Sequence, residues 1–255
     1  MRRWDVQAGD VTAGRYVPAD SARGDDKHAY AAGIAGLGLL ASSETHTLTL
    51  ASGSPRRAEI LSEAGFEFDV APADIDEDAF LVDAGDFSKA VQELAMAKAE
   101  SIAVAGAGGY VLGADTIVVL DGVVLGKPES ADHAHAMLRR LSGKSHEVIT
   151  GVAIINPLGE AHTKYVRTSI IFRSLNDDEI AKYVSSGSPL DKAGGYGIQD
   201  SSFAPVASYD ECYLNVVGLP MCATSELLEQ SGFPNPGGIA CPGHAGSDTT
   251  ESRSL

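Results

Sequence analysis

The residues best placed to do chemistry are those that break the pattern around them. The alternating segment Thr47-Leu48-Thr49-Leu50 runs into Ser52-Gly53-Ser54-Pro55-Arg56-Arg57. Ser54 is suited to cap a helix and Pro55 to open it. The start of a helix offers unpaired N–H groups and a partial positive charge, so Arg56 and Arg57 in the first turn oppose the dipole. The turn carries Ser52, Ser54, Arg56 and Arg57, and a phosphate placed there would relieve that cost. A capped helix with two solvated arginines is the plainer alternative.

Lys98 falls on the apolar stripe of a second helix, four residues after Leu94 and four before Ile102. A lysine there either snorkels to the rim or meets an anion. Asp115 stands inside the apolar run Tyr110–Leu120 (YVLGADTIVVL), where a carboxylate needs a cation or a metal. Asp121-Gly122 is a strong two-residue hairpin signal. A two-residue turn there sets Thr116 opposite Lys127 and puts Lys127 diagonal to Asp115. Acid, hydroxyl and cation then converge as a site or as a structural salt bridge. In Asp191–Gln199 (DKAGGYGIQ), the glycines permit a ligand to approach the backbone, or they simply loosen a surface loop. The Gln199 amide both donates and accepts, so it can read the edge of a base.

The elements that must hold these residues follow from periodicity and punctuation. Helices are expected over 55–64, 87–104, 131–141 and 177–186, with a last one from Pro220. Strands are expected at 66–70, 110–120, 123–126, 146–155 and 161–173, with short ones near 203–207 and 212–217. Asn176 and Glu179 form a capping box. Asp74, Asp76, Glu77 and Asp78 lie in an acidic loop. Strands mixed with helices and hairpins predict an α/β fold with a twisted mixed sheet.

Composition bounds the rest. Residues 1–46 are rich in Ala, Gly and Asp, and the tail 231–255 in Pro, Gly and Ser. Both are expected to be disordered extensions of a domain at 47–230, with one short helix over 29–41. The formal net charge of −16 argues against a nucleic-acid partner but leaves room for a small anion. Cys212, Cys222 and Cys241 form neither a disulfide framework nor a zinc pattern, which favours a reducing compartment, the cytoplasm. The 255 residues contain no apolar run long enough to span a membrane. Ala29–Ala41 is too short, and acidic residues separate it from Arg2-Arg3, unlike a signal peptide.

Six stretches, in order, resemble the Maf family of nucleoside triphosphate pyrophosphatases. They are Leu50–Arg57 (LASGSPRR), Gly113–Val118 (GADTIV), Gly126-Lys127-Pro128, Ser142–Gly151 (SGKSHEVITG), Asp191–Gln199 and Asn215–Pro220 (NVVGLP). The resemblance implies an ITPase-like mixed sheet with two lobes around a cleft. The implied reaction is hydrolysis of a nucleoside triphosphate, an acid anhydride, to the monophosphate and pyrophosphate.

By this resemblance the turn carrying Ser52, Ser54 and Arg57 binds phosphates, and Asp115 matches the catalytic base. Glu77, Lys98 and Lys127 match the other charged site positions. Arg56, Thr116 and Gln199 match positions that set base choice in the subgroup acting on dTTP and UTP. A divalent cation, Mg²⁺ first and Mn²⁺ second, would meet Glu77 and Asp115. Cations at Arg57, Lys98 and Lys127 would stabilise the departing pyrophosphate. A homodimer is also implied. The competing expectations are the same chemistry on a methylated guanine or other purine nucleotide, and a nucleotide-binding regulator of cell division. Asp200, where Gly is commoner in the family, and Ser201–Tyr209 depart from the family pattern.

Overall fold

In a computed structural model, the described residues are 46–81, 85–104, 106, 108–234 and the dipeptides Gly14–Arg15 and Arg253–Ser254. The helix expected over 29–41 lies outside them, as does most of both extensions. The dipeptides form β1 (Gly14–Arg15) and β9 (Arg253–Ser254) at the two edges of one sheet. The other strands are β2 (Leu48–Leu50), β3 (Asp69–Val70), β4 (Tyr110–Leu120), β5 (Val123–Leu125), β6 (Ser145–Ile155), β7 (Ala161–Phe172) and β8 (Val206–Tyr209). Their order is β1-β3-β2-β4-β6-β7-β8-β9, and β5 pairs with β4 off this path. The sheet is mixed: β2 runs parallel to both β3 and β4, and the remaining pairs are antiparallel.

The helices are α1 (Pro55–Glu63), α2 (Asp78–Leu81), α3 (Phe87–Val104), α4 (Ala131–Leu141), α5 (Asp177–Ser185), α6 (Tyr213–Val217) and α7 (Met221–Gln230). The capping box at Asn176 and Glu179 forms at the start of α5. Ser54 does cap α1 and Pro55 does open it, but the Ser54 side chain makes no capping hydrogen bond. The sheet packs α3 on one face, with Val91, Ile117, Val119 and Ile149 in one apolar cluster. On the other face, Leu50, Leu61, Leu112, Ile154 and Leu228 belong to the largest core cluster.

Two glycines set how close α3 lies. A Cβ at Gly113 would sit 2.1 Å from the carbonyl oxygen of Ala95, and one at Gly151 2.1 Å from that of Val91. The helix backbone therefore rests directly on the sheet, beside Asp115, which pairs with Gly151 in register.

Several sequence expectations are corrected. The hairpin forms on Asp121-Gly122, both at positive φ, and Leu120 does oppose Val123. Its ladder nevertheless stops at Val118 and Leu125, so Lys127 does not face Thr116. The Gly126 carbonyl is taken instead by the Gly194 N–H, and Pro128 has no N–H to offer. Thr116 pairs with Thr150 of β6. The strand expected at 66–70 shrinks to Asp69–Val70, since the Phe66 N–H bonds back to the Leu61 carbonyl of α1 and only Asp69 and Val70 pair with β1 and β2. The strand expected near 203–207 forms at Val206–Tyr209. The strand expected at 212–217 is the helix α6, closed by Gly218. A short apolar run does not distinguish a buried strand from a buried helical turn. Ser231 and Phe233, assigned by composition to the tail, are buried, and Phe233 meets Tyr110 edge to face at 5.0 Å.

Candidate active site

One edge of β4 is left open. β2 pairs with it as far as Leu112, and β5 takes up the same strand only from Val118. The gap exposes Asp115 and Thr116 to a cleft of about 900 Å³, walled by the β2–α1 turn, α3, β5, α4 and the segment 191–199. Successive strand residues face opposite sides, so a cleft at the open edge reaches both faces of the sheet.

On the α3 face, Lys98 and Asp115 are both buried, at 6% and 5% exposure. The Lys98 ammonium donates to Asp115 Oδ1 at 2.6 Å and pairs with Glu77 Oε1 at 2.6 Å. Lys98 is thus held by two anions, and snorkelling does not describe it. Burial alone pushes the Glu77 carboxyl up, but the Lys98 hydrogen bond and the charges of Lys98, Lys127 and Arg57 outweigh it. The carboxyl stays below its ordinary value. Lys127 is exposed on the cleft wall, with no ion pair among the described residues. The structure brings Glu77, Lys98 and Asp115 into contact; the diagonal pairing of Lys127 with Asp115 expected from the hairpin does not form.

On the other face, the Arg57 guanidinium is 9% exposed. It donates to the Gly218 carbonyl at 2.9 Å, Ser52 Oγ at 2.9 Å and Thr116 Oγ1 at 3.1 Å. All three acceptors are neutral. Burial lowers its pKa, a shift that the charge of Asp115 opposes. Ser52 is therefore engaged by Arg57 within the turn, while Ser54 lines the cleft beside the helix start. Arg56 turns away to the rim, where it donates to Asp191 Oδ2 at 2.8 Å. The plainer expectation of two solvated arginines does not hold for Arg57, which is buried, while Arg56 stays partly exposed at the rim.

Gln199 lines the cleft, half-buried, and its amide makes no hydrogen bond among the described residues. The glycines before it serve packing more than ligand access. A Cβ at Gly194 would lie 3.1 Å from the Val118 side chain, and one at Gly195 3.3 Å from Pro128. Asp200 has a local partner on each side: Ser188 and Ser202 both donate to its carboxylate.

Some residues of the site were assigned no role by sequence reasoning. Asp191 clasps Arg56 and also accepts from Lys192 at 2.6 Å. Burial raises its carboxyl pKa, but the hydrogen bonds from Lys192 and Arg56 outweigh this and hold it low. Thr150 bonds with Thr116 at 2.9 Å and donates to the Asn215 carbonyl at 3.1 Å. The buried Asn215 amide donates to Val148 O and Thr168 Oγ1, both at 3.0 Å. An asparagine inside an apolar run was a readable signal of the same kind as Asp115. His146 bonds the hydroxyl of the cleft residue Tyr196 at 2.7 Å, and burial lowers its pKa to about 4. It buttresses the wall as a neutral ring.

A family model described as Maf-like protein matches residues 47–231. The chain belongs to this family. The Maf-like chain is 47% identical over 187 residues to a protein of Symbiobacterium thermophilum named dTTP/UTP pyrophosphatase, covering 73% of this chain and 95% of that protein. A protein of the same name from Moorella thermoacetica is 47% identical over 184 residues, covering 71% and 93%. One from Myxococcus xanthus is 47% identical over 190 residues, covering 74% and 94%.

Proposed function

We propose that the protein hydrolyses dTTP and UTP to the nucleoside monophosphate and pyrophosphate, as a cytoplasmic enzyme. The observation that carries this reading is the cleft itself. Two carboxylates, a buried ammonium and a buried guanidinium with only neutral contacts converge at the open edge of β4. The names of the relatives supply the nucleotide.

The chain's residues divide the work. The start of α1 with Ser54, and the inward guanidinium of Arg57, take up phosphate oxygens. Lys98 and Lys127 stabilise the charge that moves onto the leaving pyrophosphate. Asp115 accepts a proton from the attacking water as the bond between the α and β phosphates breaks. Thr116 and Gln199 meet the base from the cleft walls, and Arg56 meets it at the rim.

Glu77 and Asp115 form a hard oxygen donor set that fits Mg²⁺ or Mn²⁺. Among the described residues no group of three or more His, Cys, Asp or Glu could hold a metal. Two carboxylates leave coordination positions for phosphate oxygens, as is usual for Mg²⁺ in nucleotide sites. When bound, the cation would neutralise charge on the phosphates. No helix of the described residues is long and apolar enough to cross a membrane.

Product analysis tests the reading. Incubation with UTP and Mg²⁺, followed by ³¹P NMR, should show UMP and pyrophosphate growing together. UDP with orthophosphate, or no turnover, would contradict it.

A further inference from the structure

We propose that Lys98 occupies the place of the divalent cation until a nucleotide arrives, so that cation and nucleotide bind as a pair. This rests on the pyrophosphatase reading, and it concerns the order in which the site is filled.

The Lys98 ammonium lies 2.6 Å from Glu77 Oε1 and 2.6 Å from Asp115 Oδ1. It already ties up one oxygen of each carboxylate that would hold a metal. Its position is set by the backbone, because α3 rests on Gly113 and Gly151 and brings the lysine stem down beside Asp115. A divalent ion taking the same oxygens would meet the ammonium at close range, where like charges repel strongly. Lys98 would have to give up its anions while remaining buried, which is unfavourable without a replacement.

A triphosphate is that replacement. It offers Lys98 an anion, and it offers the cation the further oxygens that two carboxylates do not supply. Arg57 adds to the case. It is a second buried cation on the cleft, bonded only to neutral oxygens. Six Arg and Lys residues line the cleft against four Asp and Glu, so it carries an excess of cation facing the place where phosphates go. A lone metal ion adds to that excess, and a metal–nucleotide pair relieves it. By linkage, the nucleotide must raise metal affinity by the same factor that the metal raises nucleotide affinity.

The test uses the full chain and Mn²⁺ as probe, with bound ion read by electron paramagnetic resonance. Wild type without nucleotide should bind Mn²⁺ weakly. Lys98→Met, which frees both carboxylates, should bind Mn²⁺ alone about 10-fold more tightly or better, within the usual span of coupling factors. Adding Glu77→Gln to that variant should abolish the gain. Equal Mn²⁺ affinity in wild type and a folded Lys98→Met would overturn the proposal.

Thermal melting of wild type gives a second test that needs no variant. Mn²⁺ alone should leave Tm unmoved. Mn²⁺ with the α,β-methylene analogue of UTP should raise Tm beyond the analogue with EDTA, since a ligand bound to the native state stabilises it. A full shift with Mn²⁺ alone would overturn the proposal. If the analogue fails to bind under either condition, the nucleotide reading fails, while the Mn²⁺-only comparison still decides the role of Lys98.

Discussion

On the proposed reading, Asp115 is the residue on which the chemistry depends. It is buried in an apolar strand, and a lysine from the facing helix holds it. Asp115→Asn keeps the volume and removes the charge. We expect kcat for UTP to fall by roughly 10²-fold or more, as for a lost general base, with far-UV circular dichroism unchanged. Gln199 is the contrasting case, a cleft amide without a hydrogen bond among the described residues. Gln199→Ala should lower kcat/KM for UTP and dTTP while barely changing residual hydrolysis of other nucleotides. Equal losses on every nucleotide would show that Gln199 does not read the base.

At this scale the sequence was informative where a residue type was wrong for its place. Lys98 and Asp115 were singled out from the apolar stripes around them, and they meet. Lys127 was linked to Asp115 by extending an ideal hairpin, and the Gly126 carbonyl bonds elsewhere. The Arg56–Asp191 clasp joins residues 135 apart in the chain, a separation that no local pattern reveals.

At the scale of elements, α3 and β4 are the pair that builds the site. Their bounds were readable, α3 from its apolar spacing and β4 from its long apolar run and the Asp121-Gly122 turn. Their distance was not, because it depends on which helix turn rests on which glycine. Gly151→Ala would force a Cβ into the Val91 carbonyl region and push α3 from the sheet. Overpacking of this kind costs about 1–3 kcal/mol, and shifting Lys98 should reduce kcat as well. Urea unfolding and steady-state kinetics on one preparation check both effects. A neutral Gly151→Ala would mean that close contact between helix and sheet does not position Lys98. The helix α6 was misread as a strand because five residues carry too little period. Its contribution, the Asn215 link to β6 and β7, is tertiary, and a polar residue inside an apolar run is the one local sign of it.

At the scale of the molecule, the mixed α/β sheet was legible from the alternation of strand and helix patterns. The strand order was not, since β2 and β3 are too short to announce their partners. The C-terminal boundary also moved. Phe233 packs against Tyr110 and Phe66, so the packed chain runs past Ser231. A truncation retaining residues 45–234 should keep wild-type activity, because among the described residues only two-residue edge strands join the sheet from beyond these limits. Phe233→Ala should instead destabilise by about 3 kcal/mol, as for other buried aromatic truncations. Turnover of UTP by the truncated chain checks the first outcome, and thermal melting of Phe233→Ala checks the second.

On the proposed reading, this cleft cleaves pyrimidine triphosphates bearing a uracil or thymine edge. These bases offer O2 and O4 acceptors around an N3–H, whereas cytosine has an amino donor at position 4 and no N3–H. A site built on such hydrogen bonds disfavours the wrong pattern, because a mismatch leaves buried polar groups unpaired. The decisive measurement is pyrophosphate release by wild type with Mg²⁺, as kcat/KM for UTP, dTTP, CTP and 7-methyl-GTP. UTP and dTTP should be cleaved at least about 10-fold better than the other two, a modest threshold beside the roughly 10⁴-fold that a fully hydrogen-bonded site reaches. CTP or 7-methyl-GTP cleaved as well as UTP would contradict it.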